Sequence, residues 1–173
     1  MTDWSLRLAR PDDAESFPAI EESADHLFKG IEQLEDIAAA GSQLGAKGYR
    51  RLIAKGHCLA AFQGERGIGF VATEPFRREL HMWQLAVRED AQRLGVGSGL
   101  VRACMIDARN SGFTAVTLTT FRDLPWNAPF YQRLGFEEVT ALDAHPRLAS
   151  ELALEADQGL PVERRCAMIR FLD

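Results

Sequence analysis

The segment of the sequence with the clearest chemical meaning is a glycine-punctuated turn, Gln92-Arg93-Leu94-Gly95-Val96-Gly97-Ser98-Gly99. It stands between a β-type run and an amphipathic helical pattern. The first N–H groups of a helix have no intrahelical partner and form the positive end of the helix dipole. Glycines let the backbone approach a ligand closely. The spacing therefore predicts a cradle for a phosphate or pyrophosphate, to which Arg93 would add a charge. A tight strand-to-helix turn without a ligand is the alternative interpretation of this segment alone.

Two other phosphate-binding motifs do not fit this turn. Counted from Gly95, the dinucleotide fingerprint Gly-x-Gly-x-x-Gly requires a glycine where Leu100 stands. The dinucleotide fold also has its glycine turn after the first strand of an alternating βαβ unit, whereas this turn comes deep in the chain. A Walker A loop needs a following Gly-Lys-Ser/Thr, which is missing.

Cysteine and histidine spacing predicts no metal site. The three cysteines, Cys58, Cys104 and Cys166, lie far apart and fit no zinc motif. Because an unpaired cysteine packs like a small apolar residue, we expect all three in the core. The histidines that we expect to be structural or exposed are His26, His57 and His145.

Composition excludes several classes of protein. The 173 residues predict one domain, with 46% apolar and 26% charged residues, as in soluble globular proteins. A net charge of −5, from 20 basic and 25 acidic residues, disfavours sequence-independent nucleic-acid binding. No stretch approaches the ~18 apolar residues of a membrane helix, and the first ten residues lack the apolar core of a signal peptide. We therefore expect a cytoplasmic protein with no nucleic-acid or membrane partner.

Hydrophobic periodicity predicts the elements that position the turn. The predicted strands are 6–8, 58–62, 68–72, 80–87, 113–120, 135–139 and 165–172, with a five-residue hairpin loop at 63–67. The predicted helices follow Asp12 and Asp13 and cover 31–40, 100–108, part of 124–134 and 145–156, while Gly45 and Gly48 indicate a loop. Strands outnumber the crossings that helices could cover, so we expect a mixed, partly antiparallel α/β sheet.

Four segments, in this order along the chain, resemble the GNAT superfamily of acetyl-CoA-dependent N-acetyltransferases. Arg7–Ala14 is similar to the family's first strand and helix, and Leu85–Val87 to the strand whose backbone lines pantetheine. Gln92–Gly97 fits the Gln/Arg-x-x-Gly-x-Gly/Ala pyrophosphate loop. Asn127–Tyr131, followed by Leu134–Phe136, resembles the Asn…Tyr…Gly-Phe signature. The resemblance covers nearly the whole chain. It implies a single GNAT-like α/β (α+β) domain over residues 1–173, with six or seven mostly antiparallel strands, helices flanking the sheet, and the glycine turn opening the central helix.

The resemblance also implies how the acetyl donor, acetyl-CoA, would be bound without a metal. The pyrophosphate would rest on N–H groups from Leu94 to Gly99, and pantetheine would lie along the strand as an extra strand. There the N–H of Leu85 or Ala86 would polarise the thioester carbonyl. Asn127 would form a hydrogen bond to the cofactor or the acceptor, or else serve as a helix-cap or turn residue. The cofactor-binding residues implied in this way are Leu85, Ala86, Val87, Gln92, Arg93, Leu94, Gly95, Val96, Gly97, Ser98, Gly99, Asn127 and Tyr131.

Acetyl transfer to an amine poses two proton-transfer problems: the ammonium must lose a proton, and the departing thiolate benefits from gaining one. By the resemblance, Tyr131 is the candidate acid, with simple aromatic packing as the alternative. His81 is the candidate base, on the same strand face as Trp83 by the period of two, because imidazole titrates near pH ~6.5. A water chain is the alternative to His81, and Glu74 and Glu79 are less favoured substitutes.

The acceptor is expected to be a primary amine on a small molecule or peptide, attacking acetyl-CoA directly in a ternary complex. A non-catalytic CoA-binding regulatory module is the alternative. Residues 12–36 hold nine carboxylates and one lysine, which either attract a cationic acceptor or form a solvated helix face. Trp83, Trp126 and Phe76 are candidate walls of the acceptor site. The last strand would pair in a homodimer or be covered by the chain's own helices.

Overall fold

The structure is a computed structural model that describes residues 3–40 and 42–173. Its strands are β1 (Ser5–Leu8), β2 (Leu59–Gln63), β3 (Arg66–Phe76), β4 (Glu79–Val87), β5 (Ala115–Phe121), β6 (Glu137–Glu138) and β7 (Arg165–Phe171). Its helices are α1 (Phe17–Ala24), α2 (Glu35–Ala40), α3 (Gly45–Ile53), α4 (Val96–Asn110), α5 (Ala128–Arg133) and α6 (Pro146–Asp157). None of the helices in these two ranges is long and apolar enough to cross a membrane.

The strands form a seven-stranded sheet in the order β1-β2-β3-β4-β5-β7-β6. β4 and β5 run parallel, with Glu79–Met82 opposite Ala115–Leu118. The pairs β1–β2, β2–β3, β5–β7 and β6–β7 are antiparallel. The predicted mixed, mostly antiparallel α/β fold is therefore confirmed. β7 pairs with β5 on one side and at Met168 and Ile169 with β6 on the other, so it offers no open edge there for a second protomer.

The described chain divides into two compact units. The first comprises the described residues up to Pro75 together with Trp83–Asp107, and the second comprises Phe76–Met82 together with Ala108–Asp173. β4 and α4 each contribute residues to both units. The single domain expected over residues 1–173 stays a prediction.

The core of the first unit centres on aromatic rings contributed by α1, α3 and β3. Phe17 stacks on Phe70 with ring centroids 4.0 Å apart, and Tyr49 meets both rings edge-on at 5.4 and 5.0 Å. Offset-stacked and edge-to-face pairs add stability beyond the area that they bury. This cluster holds α1 and α3 against the sheet.

Helix α3 corrects the prediction of a loop at Gly45 and Gly48. Glycine disfavours a helix interior by about 1 kcal/mol relative to alanine. Tyr49, Leu52 and Ile53 nevertheless bury their side chains in the core of the first unit. Most helical stability in proteins comes from such packing, which here outweighs the glycine propensity.

The β2–β3 hairpin is tighter than predicted. Gln63 already pairs with Arg66, which leaves Gly64 and Glu65 as a two-residue loop instead of five residues. Gly64 has a φ of +58°, a left-handed conformation that tight hairpin turns require and glycine adopts without strain.

The core of the second unit forms where α6 packs on β5 and β7. It contains Ala115, Leu148, Ala167 and Ile169, with Val139 just after β6. The predicted last helix and last strand are both present. The three cysteines are buried without a disulfide, as the sequence predicts.

Candidate functional site

In the first unit, the glycine turn is anchored to the end of β4 and opens α4. The side-chain amide of Gln92 donates to the carbonyl of Val87 at 3.0 Å. Arg93 and Gly95 have φ values of +65° and +83°. Gly95 adopts this left-handed conformation easily, whereas a non-glycine residue there is uncommon and is found more often at functional sites.

Trp4 covers the start of α4. A Cβ added to Gly99 would lie 2.5 Å from the Trp4 ring, closer than real Cβ atoms come. The indole N–H donates to the Leu94 carbonyl at 3.2 Å. Gly99 is therefore needed for close packing, a role that its position in the sequence motif did not indicate.

The donors at the helix start are fewer than predicted. The N–H of Gly99 bonds the Gly95 carbonyl at 2.9 Å, so it is the first N–H of α4 engaged within the helix. The cradle from Leu94 to Gly99 stays a prediction, and its donors in the first turn of α4 are the N–H groups of Val96, Gly97 and Ser98. No acidic residue lies in the first turn of α4, so no carboxylate opposes an anion there.

Two residues of the β4 segment that leads into the turn pack in the core of the first unit. Ala86 is buried, and both Ala86 and Trp83 pack in the core of the first unit, although they are three positions apart. The strict alternation expected along this strand does not hold between them. Leu85 and Val87 are half-buried.

Trp83 is held by a carboxylate on β3. Its indole N–H donates to Glu74 at 3.0 Å. Lys55 also donates to Glu74, and Arg51 lies 3.9 Å from it. These cations and hydrogen bonds outweigh burial and lower the pKa of Glu74, which makes this carboxylate a weaker base than an ordinary glutamate.

In the second unit, Tyr131 is a buried residue of α5, only 7% exposed. Its ring contacts Phe130 and Phe136 edge-on, with centroids 5.1 and 5.6 Å away. Asn127 occupies the N-cap position of α5 without a side-chain cap. Its side-chain amide donates to the Trp126 carbonyl at 3.3 Å, while its Oδ1 is buried with no partner in the described part of the chain. This buried oxygen can therefore accept a hydrogen bond from a ligand.

His81 lies in the interior of the second unit, with 0% of its surface exposed. Its Nδ1 is 2.8 Å from the Thr117 hydroxyl on β5. Arg147 donates to Thr117 at 2.8 Å and to Glu79 at 3.1 Å, and its guanidinium lies over the Phe76 ring. Burial, and then the charge of Arg147, lower the pKa of His81 to about 3. A neutral imidazole at that pKa holds a proton poorly, so this geometry does not favour the predicted base.

A buried acidic cluster in the first unit was not singled out by the sequence analysis. Glu21 on α1 accepts hydrogen bonds from the Tyr49 hydroxyl, whose oxygen lies 2.9 and 2.7 Å from the two carboxylate oxygens. Asp25 follows in the next turn and is equally buried. The spacing of four residues was the available signal, because it places both side chains on one helical face.

The remaining histidines are paired or peripheral. His57 Nδ1 lies 2.8 Å from Asp107, and His26 lies 3.4 Å from Glu89. Within the ranges that the structure describes, no three histidine, cysteine or acidic side chains are grouped to hold a metal ion.

Comparison with known proteins decides the family. Residues 19–136 match the family described as acetyltransferase (GNAT) family. The chain belongs to this family. GNAT acetyltransferases use acetyl-CoA as the acetyl donor.

Solved structures agree on the GNAT fold. PaiA N-acetyltransferase from Thermoplasma acidophilum, in complex with coenzyme A, is 13% identical with a TM-score of 0.71, over 98% of this chain and 99% of that one. Ribosomal-protein-S18-alanine N-acetyltransferase from Escherichia coli is 19% identical with a TM-score of 0.62, over 98% and 93%. A GNAT acetyltransferase from Brucella melitensis, in complex with acetyl-CoA, is 22% identical with a TM-score of 0.57, over 79% and 84%.

Proposed function

We propose that this GNAT protein transfers the acetyl group of acetyl-CoA to a primary amine by direct attack in a ternary complex. The observation that carries the proposal is the anchored glycine turn at the start of α4. The Gln92–Val87 hydrogen bond fixes the turn, and Gly99 lets Trp4 pack closely. The first turn of α4 has N–H donors and no acidic residue.

The residues present fit the chemistry of coenzyme A. The N–H groups of Val96, Gly97 and Ser98 would hold the pyrophosphate, with Arg93 adding charge. The backbone of Leu85–Val87 would hold the pantetheine arm. The buried Oδ1 of Asn127 has no hydrogen-bond partner among the described residues, and it would accept a hydrogen bond from the cofactor or from the acceptor.

In the reaction, the amine nitrogen forms a bond to the acetyl carbonyl carbon, and the carbon–sulfur bond breaks. We assign Tyr131 as the acid that protonates the departing thiolate. The ammonium proton passes to solvent through water. The burial of His81 and its pKa of about 3 support this water route over the imidazole.

The test is thiol release from acetyl-CoA across a panel of amines, with wild type and Tyr131→Phe compared. We expect turnover with at least one amine class. Loss of the phenol proton should lower kcat by about 10²-fold or more, the range typical of general acids, and should change kcat far more than the Kd for acetyl-CoA.

The binding measurement separates the outcomes. Acetyl-CoA binding without turnover on any amine would favour the non-catalytic CoA-binding module. Absence of acetyl-CoA binding at millimolar concentration would contradict the proposal altogether. An unchanged kcat in Tyr131→Phe would remove the acid role and leave the overall function in place.

A further inference from the structure

The left-handed residue Arg93 makes the glycine turn depend on contacts from outside the turn. Its φ of +65° strains any residue that has a Cβ, and such residues persist only where neighbouring contacts hold them. On the side of β4, the hydrogen bond from Gln92 to the Val87 carbonyl supplies one such contact. A contact on the other side, toward α4, is needed to fix the turn as a whole.

Trp4 supplies that second contact. Its indole N–H donates to the Leu94 carbonyl at 3.2 Å, and its ring lies on the first turn of α4, where a Cβ on Gly99 would collide with it. Packing therefore holds the ring in place, and its N–H sets the direction of the Leu94 carbonyl. No sequence motif indicated a function for Trp4.

The direction of the Leu94 carbonyl also decides where the Gly95 N–H points. The two groups belong to one planar peptide, and in a trans peptide they point in opposite directions. Because the carbonyl is turned toward Trp4, the Gly95 N–H is turned away from it. This N–H donates to no acceptor in the described part of the chain. It comes directly before the three first-turn donors of α4 and adds a fourth backbone donor to them.

We propose that Trp4 is a positioning residue for the pyrophosphate of coenzyme A, because its indole N–H holds the Leu94–Gly95 peptide with the Gly95 N–H toward the anion. The inference rests on the proposed function, which assigns this cofactor to the start of α4. Trp4 itself does not contact the cofactor and acts through Gly95. When the indole N–H is removed, the peptide is free to rotate and to turn its carbonyl oxygen toward the phosphates. A carbonyl oxygen repels an anion, whereas backbone N–H groups bind it.

Packing and positioning need different parts of the Trp4 side chain. Packing against Gly99 needs the ring, whereas positioning of the peptide needs the N–H. Trp4→Phe keeps an aromatic ring and removes the N–H, so it isolates the second role. Ser5→Ala is the matched control, because it removes a side-chain donor from the next residue, which is exposed. Thermal unfolding of both variants checks that the fold is kept.

The first measurement is calorimetric binding of coenzyme A to the full-length protein. Trp4→Phe should raise the Kd by about tenfold, which corresponds to the loss of one charge-assisted hydrogen bond. Ser5→Ala should bind like wild type. Coenzyme A binding by Trp4→Phe that equals wild type would overturn the inference.

The second measurement follows the Gly95 amide proton by NMR while wild type is titrated with coenzyme A or with pantetheine, which lacks the pyrophosphate. Coenzyme A should move this proton to lower field, as a hydrogen bond to phosphate does, and pantetheine should leave it nearly unchanged. In Trp4→Phe the shift caused by coenzyme A should be lost. A Gly95 proton that responds equally to both ligands in wild type, or that shifts in Trp4→Phe as in wild type, would mean that Trp4 only packs against α4.

These outcomes are distinguishable from a failure of the proposed function. Trp4-dependent binding of coenzyme A without turnover on any amine would contradict the proposed function alone. Turnover together with unchanged coenzyme A binding by Trp4→Phe would contradict the inference alone. Absence of coenzyme A binding by wild type would contradict both.

Discussion

Two buried ionisable side chains, His81 and Asp25, have pKa values displaced in opposite directions by the same cause. Burial penalises the charged form, which is the protonated form of histidine and the deprotonated form of aspartate. It therefore lowers the pKa of His81 to about 3, with help from Arg147, and raises that of Asp25 to about 7, with help from Glu21 and Glu22. Both residues should make stability depend on pH.

His81 should destabilise the fold in acid. The unfolded chain binds a proton on His81 below about pH 6.5, and the folded chain does not until about pH 3. Stability from this residue is thus complete above pH 6.5 and is lost as the pH falls, by about 1.4 kcal/mol for each pH unit at most. Glu79 is paired with Arg147, and the Thr117 hydroxyl lies 2.8 Å from the imidazole of His81.

Urea unfolding at pH 7.5 and pH 5.0 checks this expectation. His81→Gln cannot titrate, so its free energy of unfolding should fall less than that of wild type between the two values. His145→Gln, which removes a less buried histidine, should follow wild type. Parallel losses in wild type and His81→Gln would show that His81 does not cause the acid sensitivity.

Asp25 should act with the opposite sign. Its pKa is near 3.8 when unfolded and about 7 when folded, so the folded chain holds the extra proton between these values. The contribution of Asp25 to stability therefore becomes less favourable as the pH rises from 4 to 7. Asp25→Asn should be more stable than wild type by about 1–2 kcal/mol at pH 8 and similar to it at pH 4.

Urea unfolding of Asp25→Asn and wild type at those two pH values provides the measurement. If Asp25→Asn were less stable than wild type at pH 8, the prediction that the charge on Asp25 destabilises the fold would be wrong.

Among the elements, α4 shows how one turn joins a strand, a helix and the N-terminal segment. The Trp4 ring packs directly against its first turn, because Gly99 has no side chain to keep the ring away. Gly69 on β3 likewise allows a close approach to the start of α4. A Cβ added there would lie 3.1 Å from the Ala86 carbonyl oxygen and 3.2 Å from the side chain of Val96. The start of α4 depends on these two close approaches.

Gly99→Ala should displace the Trp4 ring. Alanine favours the helix by about 1 kcal/mol, but overpacking against a rigid ring costs about 1–3 kcal/mol, so we expect a net loss of stability and weaker coenzyme A binding. Chemical unfolding and calorimetry measure the two effects. In a double-mutant cycle with Trp4→Leu the two changes should be non-additive, and additive effects would mean that the ring and Gly99 do not interact.

For the molecule as a whole, the sequence could predict the element types and the glycine turn because both depend on local patterns. A β-type run before the glycine turn identifies β4, and a period of two identifies β7. The parallel pairing of β4 with β5 depends on long-range contacts that no local pattern encodes. Helix α3 was missed for a related reason, since the burial of Tyr49 outweighs its glycines.

The candidate site was predictable in part for the same physical reason. Backbone donors at the start of α4 follow from a glycine pattern. The surroundings of a side chain do not: His81 was expected as a base on the strand face that it shares with Trp83, but it is buried beside Thr117 of β5 and Arg147. The partner of Trp4, Leu94, likewise comes from a distant part of the chain.

The contact of Trp4 with the glycine turn makes this indole a built-in optical reporter. Indole emission depends on the polarity around the ring, and Trp4 lies against Gly99 and Leu94. Only Trp83 and Trp126 would have to be replaced to leave it as the single emitter among the three tryptophans of the chain.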